Sequence, residues 1–324
     1  MFDKNKKNKI GKLPINFFNL CRLMIKLFKN RWFLLSILAI TWGSSFIMIK
    51  KSLLVLSPYQ IGSIRVAVSG LLLMFTGFPA IKRMPKKYLG WVILTGALGN
   101  FLPLFLFPFA QRKVSSSLTG TLDSMVPVFV LIFGFVFFKI KSKLIQSVGA
   151  LIGFIGAAIL MYFSEPSSDN APFGYVLLVI LGAACYAAAA VIVKQKLQDV
   201  PSMDLSAAVF TIWMFPALLI LIFSGFFSEF ENSAAMWKGL GYVGILTIVG
   251  TTLAMMLYYK LIQVTSAVFA SSVSYLLPLV AIMWGLLDGE HFSIWFAIGG
   301  LLIFAGIYLI QEKTNRSDNE DLLN

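Results

Sequence analysis

The chain has 324 residues, of which 58% are hydrophobic and only 13% charged, with a mean hydropathy of +0.84 and a formal net charge of +13. An ordinary soluble domain carries roughly 25% charged residues, so a water-soluble enzyme, a disordered scaffold and a disulfide-stapled secreted module are excluded as readings of the whole chain, and its solvent is lipid. The basicity is concentrated: residues 1–31 hold nine Lys/Arg against one acid, Asp3, which supplies +8 of the total.

A basic stretch ahead of a first membrane span keeps that end cytosolic and attracts anionic lipid, which accounts for the charge better than nucleic-acid binding. Within it Phe17, Leu20, Leu23, Met24, Leu27 and Phe28 fall near helical spacing, predicting a short interfacial helix. A cleaved signal peptide is a poor match. The apolar run from Trp32 to Ile49 is 18 residues long, and no small-x-small pattern closes it. Two cysteines, Cys21 and Cys185, and a single His291 make neither a disulfide framework nor a metal site, and no cofactor is predicted.

Crossing a hydrocarbon core takes roughly 20 apolar residues as a helix. Ten such windows follow, at about 32–50, 58–79, 88–110, 115–138, 145–163, 172–193, 204–227, 238–259, 265–287 and 292–311. The joints between them are short and carry Pro, Ser or charge, as at Ser57-Pro58, Met84-Pro85, Glu165-Pro166 and Val200-Pro201, with no room for an extramembrane domain. Residues 312–324 form a polar tail. With both termini placed in the cytosol, 21 Lys/Arg lie on that side against five on the other, where Glu165, Asp169, Glu229, Glu231, Asp288 and Glu290 gather.

The windows form two copies of one unit. Val114 to Phe129 lies on Thr265 to Val280 at an offset of 151, pairing Ser115 with Ser266 and Pro127 with Pro278; Gly90 to Asn100 resembles Gly241 to Thr251 at the same offset. The predicted fold class is therefore all-α, a polytopic membrane protein of ten transmembrane helices built as two five-helix repeats, 32–163 and 172–311. An odd number of crossings inverts the second copy, and inverted repeats are a common basis of alternating access. Small residues such as Gly149, Gly153, Gly156, Ala183, Ala184, Ala187, Ala188, Gly241 and Gly244 are read as close helix packing. Pro127 and Pro278 are read as paired kinks beside a central cavity.

Several segments match a known family in order: ITWGSSFIMIK from Ile40, the Arg in IGSIRVAVSGLLL at Arg65, LYYKLIQVTSAVFASSVSYLLPLVA from Leu257, and GGLLIFAGIYL from Gly299. The chain resembles the EamA-type drug/metabolite transporter superfamily over residues 32–311. That resemblance implies a ten-helix inner-membrane carrier, often an exporter of amino acids or other small metabolites. It departs from the family where a Gly-Glu would follow the fourth span: here stand Phe138 and Lys139.

Two ionisable residues lie inside predicted spans, Arg65 and Asp123, where a charge at the helix centre costs at least about 2.5 kcal/mol. Both fall roughly 10–12 Å below the same surface at 1.5 Å per residue. They are either a structural salt bridge between the second and fourth spans or cavity groups that bind a charged solute or exchange a proton, with Asp123 the first choice for proton coupling. The same depth arithmetic adds Trp42, Asn100, Tyr186, Thr251 and Ser274, with Tyr275 beside it, as candidate translocation residues. Tyr258, Tyr259, Trp237 and Trp295 are read as interfacial belt anchors.

A polytopic enzyme is the alternative of a different class, but the chain has no P-loop, no GxSxG elbow, no HExxH and one His. A channel or receptor is the other, and an inverted duplication is not the plan of a pore ringed by subunits. The expected function is a secondary carrier of small polar or amphipathic metabolites, more often outward, driven by a proton or solute gradient.

Overall fold

The computed structural model describes residues 30–164, 172–228, 230–287 and 294–310. The interfacial helix expected before residue 30 and the polar tail lie outside them, as do Glu165, Asp169, Glu229, Asp288, Glu290 and His291.

Every regular element among the described residues is helical. Seven rods are long and apolar enough to cross a membrane, namely α1 (Arg31–Ser52), α2 (Pro58–Arg83), α3 (Lys86–Ala110), α4 (Leu118–Phe138), α6 (Phe173–Lys196), α7 (Ser202–Phe223) and α8 (Ala234–Val264). Three further apolar helices are shorter in that respect: α5 (Leu144–Ser164), α9 (Ala267–Ser271 continuing as Val273–Leu287) and α10 (Ile294–Ile310).

Local chemistry sets where the rods begin. Ser57 accepts from the Gln60 amide while Gln60 Oε1 accepts from the Ser57 amide, a capping box that starts α2 with Pro58 at a position needing no donor. Ser115 and Ser266 cap in the same way, each accepting from the amide three residues on, Leu118 and Phe269. α4 stops where Lys139 turns into the left-handed region at φ 52°.

α8 is longer than its apolar window predicted. It runs through Lys260, whose side chain is exposed, and a lysine's long aliphatic stem is compatible with a helix that continues past it. Residues expected at the helix end are thereby carried inward.

Four rods are irregular midway. α1 turns at Ser44, α4 breaks at Ser124 and Met125, and α3 and α8 widen into π-helical turns at Ala97–Phe101 and Leu246–Leu253. In α8 the carbonyls of Leu246 and Thr247 accept from the Thr251 and Thr252 hydroxyls five residues on. Pro127 lies in the first turn after the α4 break, and Pro278 lies inside α9. Pro278 has no N–H for the Ser274 carbonyl, which instead accepts from Ser124 Oγ at 3.3 Å.

Helix pairs meet at backbone distance, as α2 and α3 do where a Cβ on Gly62 would stand 2.9 Å from the Leu104 carbonyl oxygen. A Cβ on Gly77 would stand 2.6 Å from the Ala207 carbonyl oxygen, joining α2 to α7. On α5 and α10 the contact is reciprocal: Gly149 faces the Gly306 carbonyl and Gly156 faces that of Gly299. The bundle has two distinct ends. At the far end Gln60 bonds the Ser224 carbonyl and Tyr59 meets Phe109 edge-on; at the near end Arg83 pairs with Asp204 and Tyr88 bonds Asp199.

Candidate functional site

A cleft of about 690 Å³, open solvent at its mouth included, lies between α1, α2, α3, α4, α6, α8 and α9. Of the eight residues singled out from sequence, Trp42, Arg65, Asn100, Asp123, Tyr186, Thr251 and Ser274 line it. They come from seven helices, and four of them sit at irregular turns: Trp42 precedes the Ser44 turn, Asn100 and Thr251 sit in the two π segments, and Asp123 ends the first piece of α4.

Arg65 and Asp123 do not form an ion pair with each other. Arg65 Nε donates to Thr251 Oγ1 at 3.0 Å, and its terminal nitrogens bond to no described residue. Asp123 Oδ2 accepts from Ser274 Oγ at 2.9 Å, and its Oδ1 is buried without a partner. Each instead takes a hydroxyl from the second half of the chain. The salt-bridge reading is corrected on that ground. A guanidinium and a carboxyl therefore both face the cleft with donor and acceptor capacity to spare.

The other polar groups are held in place. Asn100 Nδ2 donates to Tyr259 Oη at 2.7 Å, leaving its Oδ1 buried and unpartnered. Trp42 Nε1 donates to the Gly250 carbonyl at 2.9 Å, and its ring meets Tyr258 edge-on with centroids 5.0 Å apart. Tyr186 stacks on Phe107 at 5.7 Å. The result is a cleft with aromatic walls and a few fixed polar groups, the usual anatomy of a small-molecule site.

Tyr275 is placed elsewhere. It is fully buried behind the cleft, packed on Gly153, and its Oη donates to the Ala150 carbonyl at 2.7 Å. Tyr275→Phe is expected to lower stability by about 1 kcal/mol while leaving ligand affinity unchanged, which thermal melts with and without ligand would check.

Tyr258 and Tyr259 are not belt anchors. Tyr258 lines the cleft and Tyr259 holds Asn100, both buried, because α8 extends five residues beyond its predicted end. Trp237 and Trp295 are exposed. Ser45, Phe46, Phe107 and Leu277 also line the cleft and were not singled out from sequence, since small and apolar residues in spans carry no mark of the face they occupy.

Comparison with known proteins gives a consistent picture. The model of the EamA-like transporter family matches residues 31–162 and 173–311. An uncharacterized transporter of Archaeoglobus fulgidus is 25% identical over 290 residues, covering 88% of this chain and 99% of the relative. The uncharacterized inner membrane transporter YedA of Escherichia coli K12 is 28% identical over 288 residues, covering 85% and 89%, and protein PecM of Dickeya dadantii is 24% identical, covering 84% and 89%. A crystal structure of another protein superposes with a TM-score of 0.66 over 85% of this chain and 94% of its own, at 15% identity, a likeness of fold.

Proposed function

From the premise that this chain belongs to the EamA-like transporter family, we propose that it is a secondary carrier that moves zwitterionic small metabolites, of which amino acids are the type, across the cytoplasmic membrane by alternating access. The cleft is the binding site. The observation that carries this reading is the pair of unmatched charged groups in it: Arg65 supplies donors for a carboxylate, Asp123 Oδ1 an acceptor for an ammonium, and Trp42, Tyr186 and Tyr258 an apolar wall for the remainder. Two opposite charges that do not neutralise each other are costly in a membrane and are explained by a solute that neutralises both.

Ten crossings and an inverted duplication, 32–163 against 172–311, are part of the proposal. Four features support them. Asp123 and Ser274, equivalent at the offset of 151, bond to each other, as residues on a pseudo-two-fold axis do. The glycine contacts between α5 and α10 are reciprocal, the caps at Ser115 and Ser266 correspond, and both π segments fall at the equivalent Asn100 and Thr251. Rocking of one half against the other would open the cleft to each side in turn.

The basic near end is the cytosolic end, where Lys82, Arg83, Lys86, Lys87, Lys139, Lys141 and Lys143 collect, with anionic lipid as their counterpart. Both termini then lie in the cytosol and export is the working direction. No nucleotide motif stands in the sequence, so the driving force is an ion or solute gradient, and Asp123 is the group that takes up and releases the proton.

Binding tests this first. Among solutes offered to the purified protein, free amino acids are expected to raise the melting temperature, and their methyl esters and N-acetyl derivatives, each lacking one charge, to do so at concentrations at least tenfold higher. Equal stabilisation by all three would remove the zwitterion reading.

A further inference from the structure

At the near end of the bundle one cluster joins α6 to α8. Lys194, in the last turn of α6, donates from Nζ to the carbonyls of Gln263 and Thr265, where α8 ends. In return Gln263 Nε2 donates to the carbonyls of Leu197 and Val200, just beyond α6. A cation at a helix C-terminus meets the negative end of the macrodipole, and because this cation belongs to another helix the contact ties α6 to α8.

The far end is held by other contacts, such as that of Gln60 with Ser224, and carries counterparts of these residues that do not bond one another. Lys50, Leu53 and Leu56 at the end of α1 repeat the spacing of Lys194, Leu197 and Val200, 144 positions on, and Arg112 and Val114 after α3 correspond to Gln263 and Thr265 at the offset of 151. Yet Lys50 is exposed and bonds to no described residue, while its neighbour Lys51 is engaged over the Tyr242 ring. Gln111, beside the counterpart of Gln263, is buried with neither amide atom partnered. Buried amides are nearly always satisfied, which makes Gln111 a candidate for partners met in another arrangement of the same chain.

Resting on the inverted-repeat carrier reading above, we infer that Lys50 and Lys194 are reciprocal latches of the transport cycle. In the state shown, the Lys194 latch closes the near end. In the opposite state Lys194 releases, Lys50 donates to the carbonyls of Arg112 and Val114, and the Gln111 amide reaches the carbonyls between Leu53 and Leu56. One latch is made in each state, which keeps the two states close in free energy, as a ligand able to shift the balance requires.

The test uses the full chain in nanodiscs, with Cys21→Ser and Cys185→Ala as background. One spin-label pair at Leu54 and Lys113 reports the far end and another at Gln195 and Lys260 the near end, read as distance distributions. Lys194→Met is expected to raise the near-open fraction at least threefold, and Lys50→Met and Gln111→Leu each to lower the far-closed fraction at least threefold. Lys50→Arg and Lys194→Arg keep a cationic donor and stay within twofold of the parent, which separates a latch from damage to the fold. Populations that do not move, or that move in the same direction in both Met variants, overturn the latch. Flux by the parent protein in proteoliposomes distinguishes the two ideas: flux with unmoved populations overturns the latch alone, and absence of flux from folded parent protein overturns the carrier reading and the latch with it.

Discussion

Gly306→Val is expected to cost this protein its folded, monodisperse form. A Cβ at Gly306 would stand 2.6 Å from the carbonyl oxygen and 2.6 Å from the amide nitrogen of Gly149 and Gly153 respectively. Both are backbone atoms of a helix, so no rotamer change can make room, and α5 and α10 must separate along their length. Overpacking a core costs typically about 1–3 kcal/mol and more where the backbone must move, and in lipid, where apolar contact with a neighbour helix is hardly better than contact with acyl chains, close packing is most of what holds the pair. We expect the full upper part of that range, read as loss of the monodisperse peak and a lowered melting temperature in detergent. Gly241→Val is the control, because a Cβ there meets nothing within 4 Å; equal behaviour of the two variants would show that the α5–α10 contact does not support the fold.

Arg65→Met is expected to have the largest effect on function. The guanidinium stem is 5% exposed and its Nε is spent on Thr251, so the methionine fills similar space and leaves Thr251 Oγ1 its bond to the Leu246 carbonyl. What disappears is the pair of terminal nitrogens proposed to receive the substrate carboxylate. Removing one partner of a buried hydrogen-bonded charge pair costs about 2–4 kcal/mol, or roughly 30- to 1,000-fold in affinity. Thermal stability should fall far less than affinity. The comparison that checks this is the ligand-dependent melting shift of Arg65→Met against that of the unaltered protein, with Arg65→Lys between them, since a lysine keeps the charge and loses the fork. An unchanged ligand response in Arg65→Met would remove Arg65 from the site.

How far the sequence discloses this arrangement depends on which physical signal each residue carries. Arg65 and Asp123 stand out because an ionisable group in a span has a high cost that needs a reason. Their position along a helix follows from counting residues, but their azimuth does not, and azimuth decides that each bonds a hydroxyl of the second half rather than its charged counterpart. Asn100 and Thr251 were legible through the repeat, whereas the π turns that present them were not: a wider turn alters the backbone angles slightly and has no composition of its own, though Gly99-Asn100 and Gly250-Thr251 at equivalent places are a trace of it. Tyr258 was misplaced for a simpler reason. Its window was cut near Lys260, and a snorkelling lysine hides the end of a helix. Tyr275 lies next to a cleft residue in sequence and faces the opposite way in space, toward Ala150.

The fold follows a similar division. Hydropathy located the apolar helices, and serines ahead of the proline-bearing α4 and α9 marked their starts. The breaks at Ser44 and Ser124 have no proline at the break itself and emerge only when the neighbouring helices are in place. Such breaks concentrate around the cleft, where carbonyls released from a helix ladder can be taken by hydroxyls such as Ser124 Oγ instead of being left in lipid.

The cleft is proposed to carry solute across the membrane at the expense of a gradient, with Asp123 as the proton-exchanging group. The most direct measurement is uptake of labelled amino acids by proteoliposomes of the purified protein, with and without an imposed pH gradient, for the unaltered chain and Asp123→Asn. Saturable uptake that the gradient accelerates several-fold is expected, and in Asp123→Asn, folded to the same melting temperature within a few degrees, loss of that acceleration. No saturable uptake by folded protein would contradict the carrier, and gradient-driven uptake undiminished in Asp123→Asn would contradict the role given to that carboxyl.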